Sequence, residues 1–398
     1  MPSAAPPYDG SVLTRISNTP RDYAWGSTTL IAELEGRAPS GRPEAEVWFG
    51  DHPGSPSEVH DGTGRTLDDW LPAEAAADDS PAKLPYLLKL LAAGAPLSIQ
   101  VHPSKAQAEA GFAREEAAGV PRDAGERNYR DDNHKPEVIV ALSDPFVALA
   151  GLRDLDTTRR LVDVLGADAV SLRAHLDGTD AEEALRSTIG WLLGGDAQAD
   201  VDRIIDAAAS ASSDEFADEV ALAARLAQAY PGDPGVVVAL LMNLVSLRPG
   251  EAVFVPAGVL HAYVSGLGVE LMAASDNVLR GGLTPKHIDV DELLSLVDAA
   301  PSPPPTLTPV ELEAGVNLFD AGVPDFALLH VEAADAPIHA ALRGTAIALA
   351  TRGTVRVTGA SGESIELSPG QAALATVDEA PLVVAGSGEL FIAMPGDD

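Results

Sequence analysis

The sequence predicts a mainly β protein interrupted by a helical insert. Short apolar runs with two-residue alternation occur towards both ends of the chain, while from Asp154 to about Tyr230 apolar residues recur at helical spacing. Pro and Gly, 31 and 36 of them, punctuate the sequence throughout. At 398 residues the chain is long for a single core, so several domains are expected. The change of texture divides it into a central domain of residues 1–153 and 235–300, an insert of 154–234, and a C-terminal β domain of 301–398.

Val12-Leu13 and the run from Ala45 to Phe49 predict strands at a domain edge. Residues 84–102 form a buried-strand pattern broken at Gly94-Ala95-Pro96. The polar segment 104–132 predicts a short helix and then a loop, and 136–149 predicts strand, turn, strand. Within the insert, Thr179 followed by Glu182 is a capping-box pattern, and Leu185, Ile189, Leu192 and Leu193 then fall on one helical face. Phe216, Val220, Ala223, Ala227 and Tyr230 form a second stripe; both stripes are core rather than ligand contacts. Strands return after Arg248, Ser302-Pro-Pro-Pro is a linker, and 325–395 reads as strands and turns only. Leu247-Arg-Pro-Gly-Glu-Ala is echoed by Leu367-Ser-Pro-Gly-Gln-Ala, as two β units of similar design would produce.

A net charge of −34 excludes nucleic acid and anionic membrane as general partners, because both would be repelled over most of the surface. The absence of cysteine removes disulfides and thiolate chemistry, so any metal must be held by His, carboxylate or amide groups. No run of about 18 apolar residues occurs, and the N-terminus has neither the basic segment nor the apolar run of a secretory signal. A cytoplasmic protein is expected, with no obligate protein partner evident. The chain has only five lysines, Lys83, Lys89, Lys105, Lys135 and Lys286, and several lie beside its densest polar motifs. An anionic small ligand therefore remains possible where cations are concentrated locally.

Three blocks carry candidate chemistry. In Leu97-Ser98-Ile99-Gln100-Val101-His102, Gln100 and His102 share a strand face. The second, Asn128 to Glu137, is a polar string that runs straight into an apolar strand and leaves Glu137 at its start. The third, Pro249 to Tyr263, has the spacing G-x5-P-x-G-x2-H, which resembles the second motif of cupins, small antiparallel jelly-roll barrels in which that His binds metal. The Asn usual four residues later is Ser265 here. Gln100, His102, Glu137 and His261 make a plausible N/O metal set suited to Zn²⁺, Fe²⁺ or Mn²⁺. The remaining histidines at 52, 60, 175, 287, 330 and 339 carry no such context.

The string Tyr129-x-Asp131-x-Asn133-His134-Lys135-Pro136-Glu137 resembles the signature of type I phosphomannose isomerases. So does the run from His261 through Glu270, Ser275-Asp276-Asn277, Arg280 and Thr284-Pro285-Lys286, with Tyr23-Ala-Trp25-Gly26-Ser27 and Glu46-Val-Trp48-Phe-Gly50 as earlier segments. The likeness runs from about residue 13 to 290, and the tail matches only as a degenerate cupin-like domain. The resemblance implies two cupin-like jelly-roll barrels, one metal-bearing and one C-terminal and degenerate, beside the helical domain. The tail keeps Pro369-Gly370 without a Pro or His in the next strand, so its barrel is expected to hold no metal.

It further implies one Zn²⁺ per chain on Gln100, His102, Glu137 and His261, and an active-site Arg280. Ser98, Lys89, Lys135, Glu270 and Lys286 would line the substrate pocket, with Tyr263 and Asp276 as further substrate contacts. The implied reaction interconverts mannose 6-phosphate and fructose 6-phosphate through a cis-enediol(ate), feeding mannose metabolism and GDP-mannose synthesis. Glu270 is the candidate base, Lys135 or His134 can serve instead, and the sequence does not separate them. A structural role for Glu270, paired with Arg280 or Lys286, is the plainer alternative. Two other readings compete: an Fe²⁺-dependent cupin oxygenase, which leaves Gln100 and the cations without a task, and a non-catalytic sugar-binding cupin protein.

Overall fold

The computed structural model describes residues 12–78, 81–334 and 336–397. It is mainly β, with the helices concentrated where the sequence changes texture. No helix among the described residues is long and apolar enough to cross a membrane. Backbone contacts gather the chain into two compact units, Met1–Ala92 with Leu267–Ala274 and Leu307–Asp398, and Ala93–Gly266 with Ser275–Thr306.

The first unit is built on a ten-stranded antiparallel sheet. Its N-terminal strand Leu13–Ser17 pairs with Ala372–Ala375, Leu13 lying opposite Ala375. Ala327, Leu329 and Val331 bury into one core at a period of two, as do Ala346, Ala348 and Ala350 on the strand beyond the intervening Leu382–Met394. Glu46–Phe49 pairs with Tyr86–Ala93, which also pairs with His261–Ala273; the first two are buried along their whole length, and Trp48 lies opposite Lys89. Helix Leu67–Asp78, with Pro72 inside it, has no forecast in the sequence pattern.

The second unit holds the strands that carry the candidate site and the helices Leu155–Asp163, Val170–His175, Ala181–Leu193, Gln198–Ser210, Ala217–Ala229 and Gly235–Leu241. Both predicted stripes are packed: Leu185, Ile189 and Leu192 are buried, as are Phe216, Val220 and Ala223. The cap differs from the expected one. Asp180 rather than Thr179 is the N-cap, its carboxylate accepting from the backbone N–H groups of Glu182 and Glu183 at 3.1 and 3.2 Å. An ionised carboxylate accepts two donors and complements the positive end of the helix, so the stronger acceptor takes the position. Asp180→Ala is expected to cost about 1 kcal/mol in urea unfolding, and Thr179→Ala much less.

The sequence echo is a repeated turn. Glu251 N–H donates to Arg248 O and Gln371 N–H to Ser368 O, both at 2.9 Å. In each, Pro opens the turn and Gly follows at φ +85° or +82°, the type II geometry that only glycine adopts without strain. Each turn is clamped from outside: Glu251 accepts from Arg248 N–H at 2.8 Å, and Gln371 from Ser368 N–H at 3.0 Å.

Candidate metal centre and active site

Three neighbouring strands set up the site. Gln100 lies opposite His261 on one side and Arg280 on the other, so these residues form one row across the sheet. Directly opposed residues of antiparallel strands present their side chains to one face. His102, two residues beyond Gln100, follows the same alternation. Glu137 opens the strand Glu137–Ala141, and Tyr263, two residues after His261, donates its hydroxyl to Glu137 Oε1 at 3.2 Å.

His102, Glu137 and His261 are buried and bring one ligand atom each to within 4.8 Å of one another. His261 Nε2 lies 2.9 Å from Glu137 Oε1, and His102 Nε2 lies 3.3 Å from Oε2. The other ring nitrogen assigns the His102 tautomer: Nδ1 faces the carbonyl oxygen of Asn277 at 2.8 Å, and a carbonyl only accepts, so Nδ1 carries the proton. Burial, assisted by the Lys135 charge, pushes the His102 imidazole down to about 4, so the ring is neutral. Its Nε2 lone pair is therefore bare, buried and without a hydrogen-bond partner. A lone pair facing a carboxylate oxygen is repulsive unless a cation stands between them. Two imidazoles and a carboxylate are the donor set that a divalent metal such as zinc accepts.

Burial alone would push the Glu137 carboxyl up. Lys135, His261 and His102 outweigh it and hold the group well below the usual carboxylate range. Lys135 Nζ lies 3.5 Å from Glu137 Oε2. Gln100 donates its amide N–H to Ser98 Oγ at 3.3 Å, and its amide oxygen accepts nothing from the described residues.

Arg280 and Lys286 belong to the same unit. Burial, with the nearby charge of Arg130, lowers the Arg280 guanidinium. Arg280, burial and Arg130 lower Lys286 in that order. Asp276 donates its backbone N–H to Asp131 Oδ2 at 2.7 Å, and Ser275 donates its hydroxyl to Asp131 Oδ1 at 2.8 Å. The fully buried Asn277 accepts the backbone N–H of Arg130 at 2.7 Å and donates to the carbonyls of Asp131 and Asn133 at 2.8 and 2.9 Å. These bonds tie the segment before Glu137 to the segment before Arg280.

Lys89 and Glu270 meet in the other unit. Lys89 Nζ lies 2.9 Å from Glu270 Oε2 and 3.5 Å from Glu46 Oε1, and 5.2 Å from the centre of the Trp48 ring. Trp48 Nε1–H donates to Glu46 Oε2 at 2.8 Å. The ion pair of Glu270 is thus with Lys89, not with the Arg280 or Lys286 that the sequence suggested as partners. Sequence reasoning passed over Glu46, Arg130, Asp131 and Asn277 as site residues. All four stand inside the quoted motifs, so the signal was present without a role attached to it.

Residues 13–155 match the family described as phosphomannose isomerase type I, catalytic domain. The mannose-6-phosphate isomerase of Escherichia coli (strain K12) is 37% identical over 390 residues, covering 95% of this chain and 98% of that protein. The Homo sapiens mannose-6-phosphate isomerase is 31% identical over 382 residues, covering 84% and 86%. The crystal structure of the Salmonella typhimurium mannose 6-phosphate isomerase bound to substrate (F6P) and zinc superposes with a TM-score of 0.88 at 34% identity, over 97% of this chain and all of that one. Identity at this level along nearly the whole of both chains is a family relationship, and the chain belongs to the type I mannose-6-phosphate isomerases.

Proposed function

We propose that the protein is a zinc-dependent aldose–ketose isomerase that interconverts mannose 6-phosphate and fructose 6-phosphate. The observation that carries the reading is the neutral, buried His102 whose bare Nε2 faces Glu137, beside a row that also contains Arg280. Gln100, His102, Glu137 and His261 would hold the ion. When bound, zinc supplies a fixed positive charge beside the reacting oxygens of the sugar.

The chain's own residues account for the rest. Glu270 is assigned the proton transfer between C1 and C2, and its carboxylate is positioned by its ion pair with Lys89. The Arg280 guanidinium cannot lose its proton and offers a planar fork to the two neighbouring oxygens on which charge develops. Lys135, paired with Glu137, keeps that carboxylate ionised and orients it. Tyr263 and Asp276 are assigned to the sugar hydroxyls, and Ser98, Lys89 and Lys286 to the substrate's anionic end. A phosphorylated sugar as substrate also suits a cytoplasmic location.

The test couples fructose 6-phosphate formation from mannose 6-phosphate to a dehydrogenase readout. Turnover that disappears with a chelator and returns with zinc is expected. A zinc-loaded protein that shows no conversion would overturn the reading, and oxygen consumption with Fe²⁺ would favour the oxygenase.

A further inference from the structure

We infer that Arg130, which no motif reading picked out, pairs with Lys286 to hold the phosphate dianion of the substrate. This rests on the proposed isomerase function.

The argument starts from charge pairing. Sixty acidic side chains face 26 Lys and Arg in this chain, and most cations find a carboxylate: Arg37, Arg65, Arg114, Arg122, Arg127 and Arg153 all do so. The side chains of Arg130, Arg280 and Lys286 form no ion pair and no hydrogen bond with the described residues. They lie close enough for the charge of Arg130 to act on both of the others. Three like charges gathered without a counterion, in a molecule with a large excess of acid, raise the energy of the unliganded state. An anion lowers it.

The three cations do not stand alike. Arg280 is half-buried and in register with Gln100 and His261, which commits it to the reacting end of the sugar. Arg130 and Lys286 are exposed; Arg130 lies on the segment that Asn277 holds, and Lys286 follows Arg280 by six residues. The backbone N–H of Arg130 is fixed at 2.7 Å to the Asn277 side chain, so the base of its long side chain is held while the guanidinium is free to close on a ligand. A phosphomonoester offers what this pair lacks: two negative charges and several oxygens, matched by a bidentate fork and a point charge. Lys89, the other cation proposed for that role, already faces two carboxylates.

The test compares zinc-loaded wild type, Arg130→Gln and Arg130→Lys. Loss of one charge-assisted contact is expected to raise the KM for mannose 6-phosphate about tenfold, with kcat falling less than about threefold. Competitive inhibition by inorganic phosphate, also read directly by calorimetry, should weaken in parallel. Arg130→Lys should recover most of both, because it restores the charge. An active Arg130→Gln enzyme whose KM and phosphate affinity match wild type would overturn the assignment and leave the isomerase reading intact. A protein that lacks isomerase activity but loses phosphate binding on Arg130→Gln would keep the anion site and overturn the isomerase reading. The Arg130 side chain forms no hydrogen bond or ion pair with the described residues, so an unchanged melting temperature is also expected. A marked fall would mean that the residue is structural and would count against the proposal.

Discussion

His261→Ala is expected to lose stoichiometric zinc and measurable turnover together. Removing an outer partner of a metal ligand weakens binding about 10–100-fold, so removing a ligand itself should exceed about a hundredfold. The geometry makes the loss specific. His261 Nε2 stands 2.9 Å from Glu137 Oε1, and without it the carboxylate keeps Lys135 and Tyr263 but loses the imidazole that completes the donor set. If the alanine variant unfolds, His261→Gln preserves much of the volume and should still fail to retain zinc at equilibrium. Metal analysis after dialysis decides the matter, and one zinc per chain in either variant would show that the ligand set is wrong.

Arg280→Ala should lower kcat by at least about a hundredfold, the scale seen when one preorganised donor to a developing oxyanion is removed. Its zinc content should stay normal. The plainer alternative, that Arg280 merely pairs with Glu270 or Asp276 to hold its loop, predicts a loss of thermal stability instead. The structure gives Arg280 no ion pair among the described residues, and the charge of Arg130 acts against it as its own acts against Lys286. Its removal should therefore leave the melting temperature unchanged or raise it. Arg280→Lys should recover only part of the rate, since an ammonium keeps the charge and loses the fork. A near-wild-type kcat in Arg280→Ala would end the transition-state assignment.

Much of this was legible along the chain because local patterns carried it. The break at Gly94-Ala95-Pro96 separates the strands Tyr86–Ala93 and Gln100–Val101, as the sequence pattern implied. The helical stripes of the insert packed as their spacing implied. Features that depend on distant partners were not legible. Nothing in Leu13–Ser17 announces that its neighbour is Ala372–Ala375, since any alternating strand offers the same backbone groups. The strand that begins at His261 continues to Ala273, buried almost throughout, and no local signal marks where it ends. The pairing of Glu270 with Lys89 and the lack of an ion pair for Arg130 among the described residues are properties of three-dimensional neighbourhood. Sequence spacing carries no record of them.

Asn277 has a thermodynamic consequence beyond geometry. Its backbone carbonyl fixes the tautomer of His102, while its side chain grips the loop that bears Arg130. One buried residue therefore links the ring that would bind metal to the loop proposed to bind phosphate. If loading either end narrows the positions open to Asn277, the other end binds with less ordering left to lose. By reciprocity the two affinities must then rise by the same factor, whichever ligand arrives first. Inorganic phosphate should tighten the hold on zinc, and zinc should tighten the hold on phosphate, to equal extent.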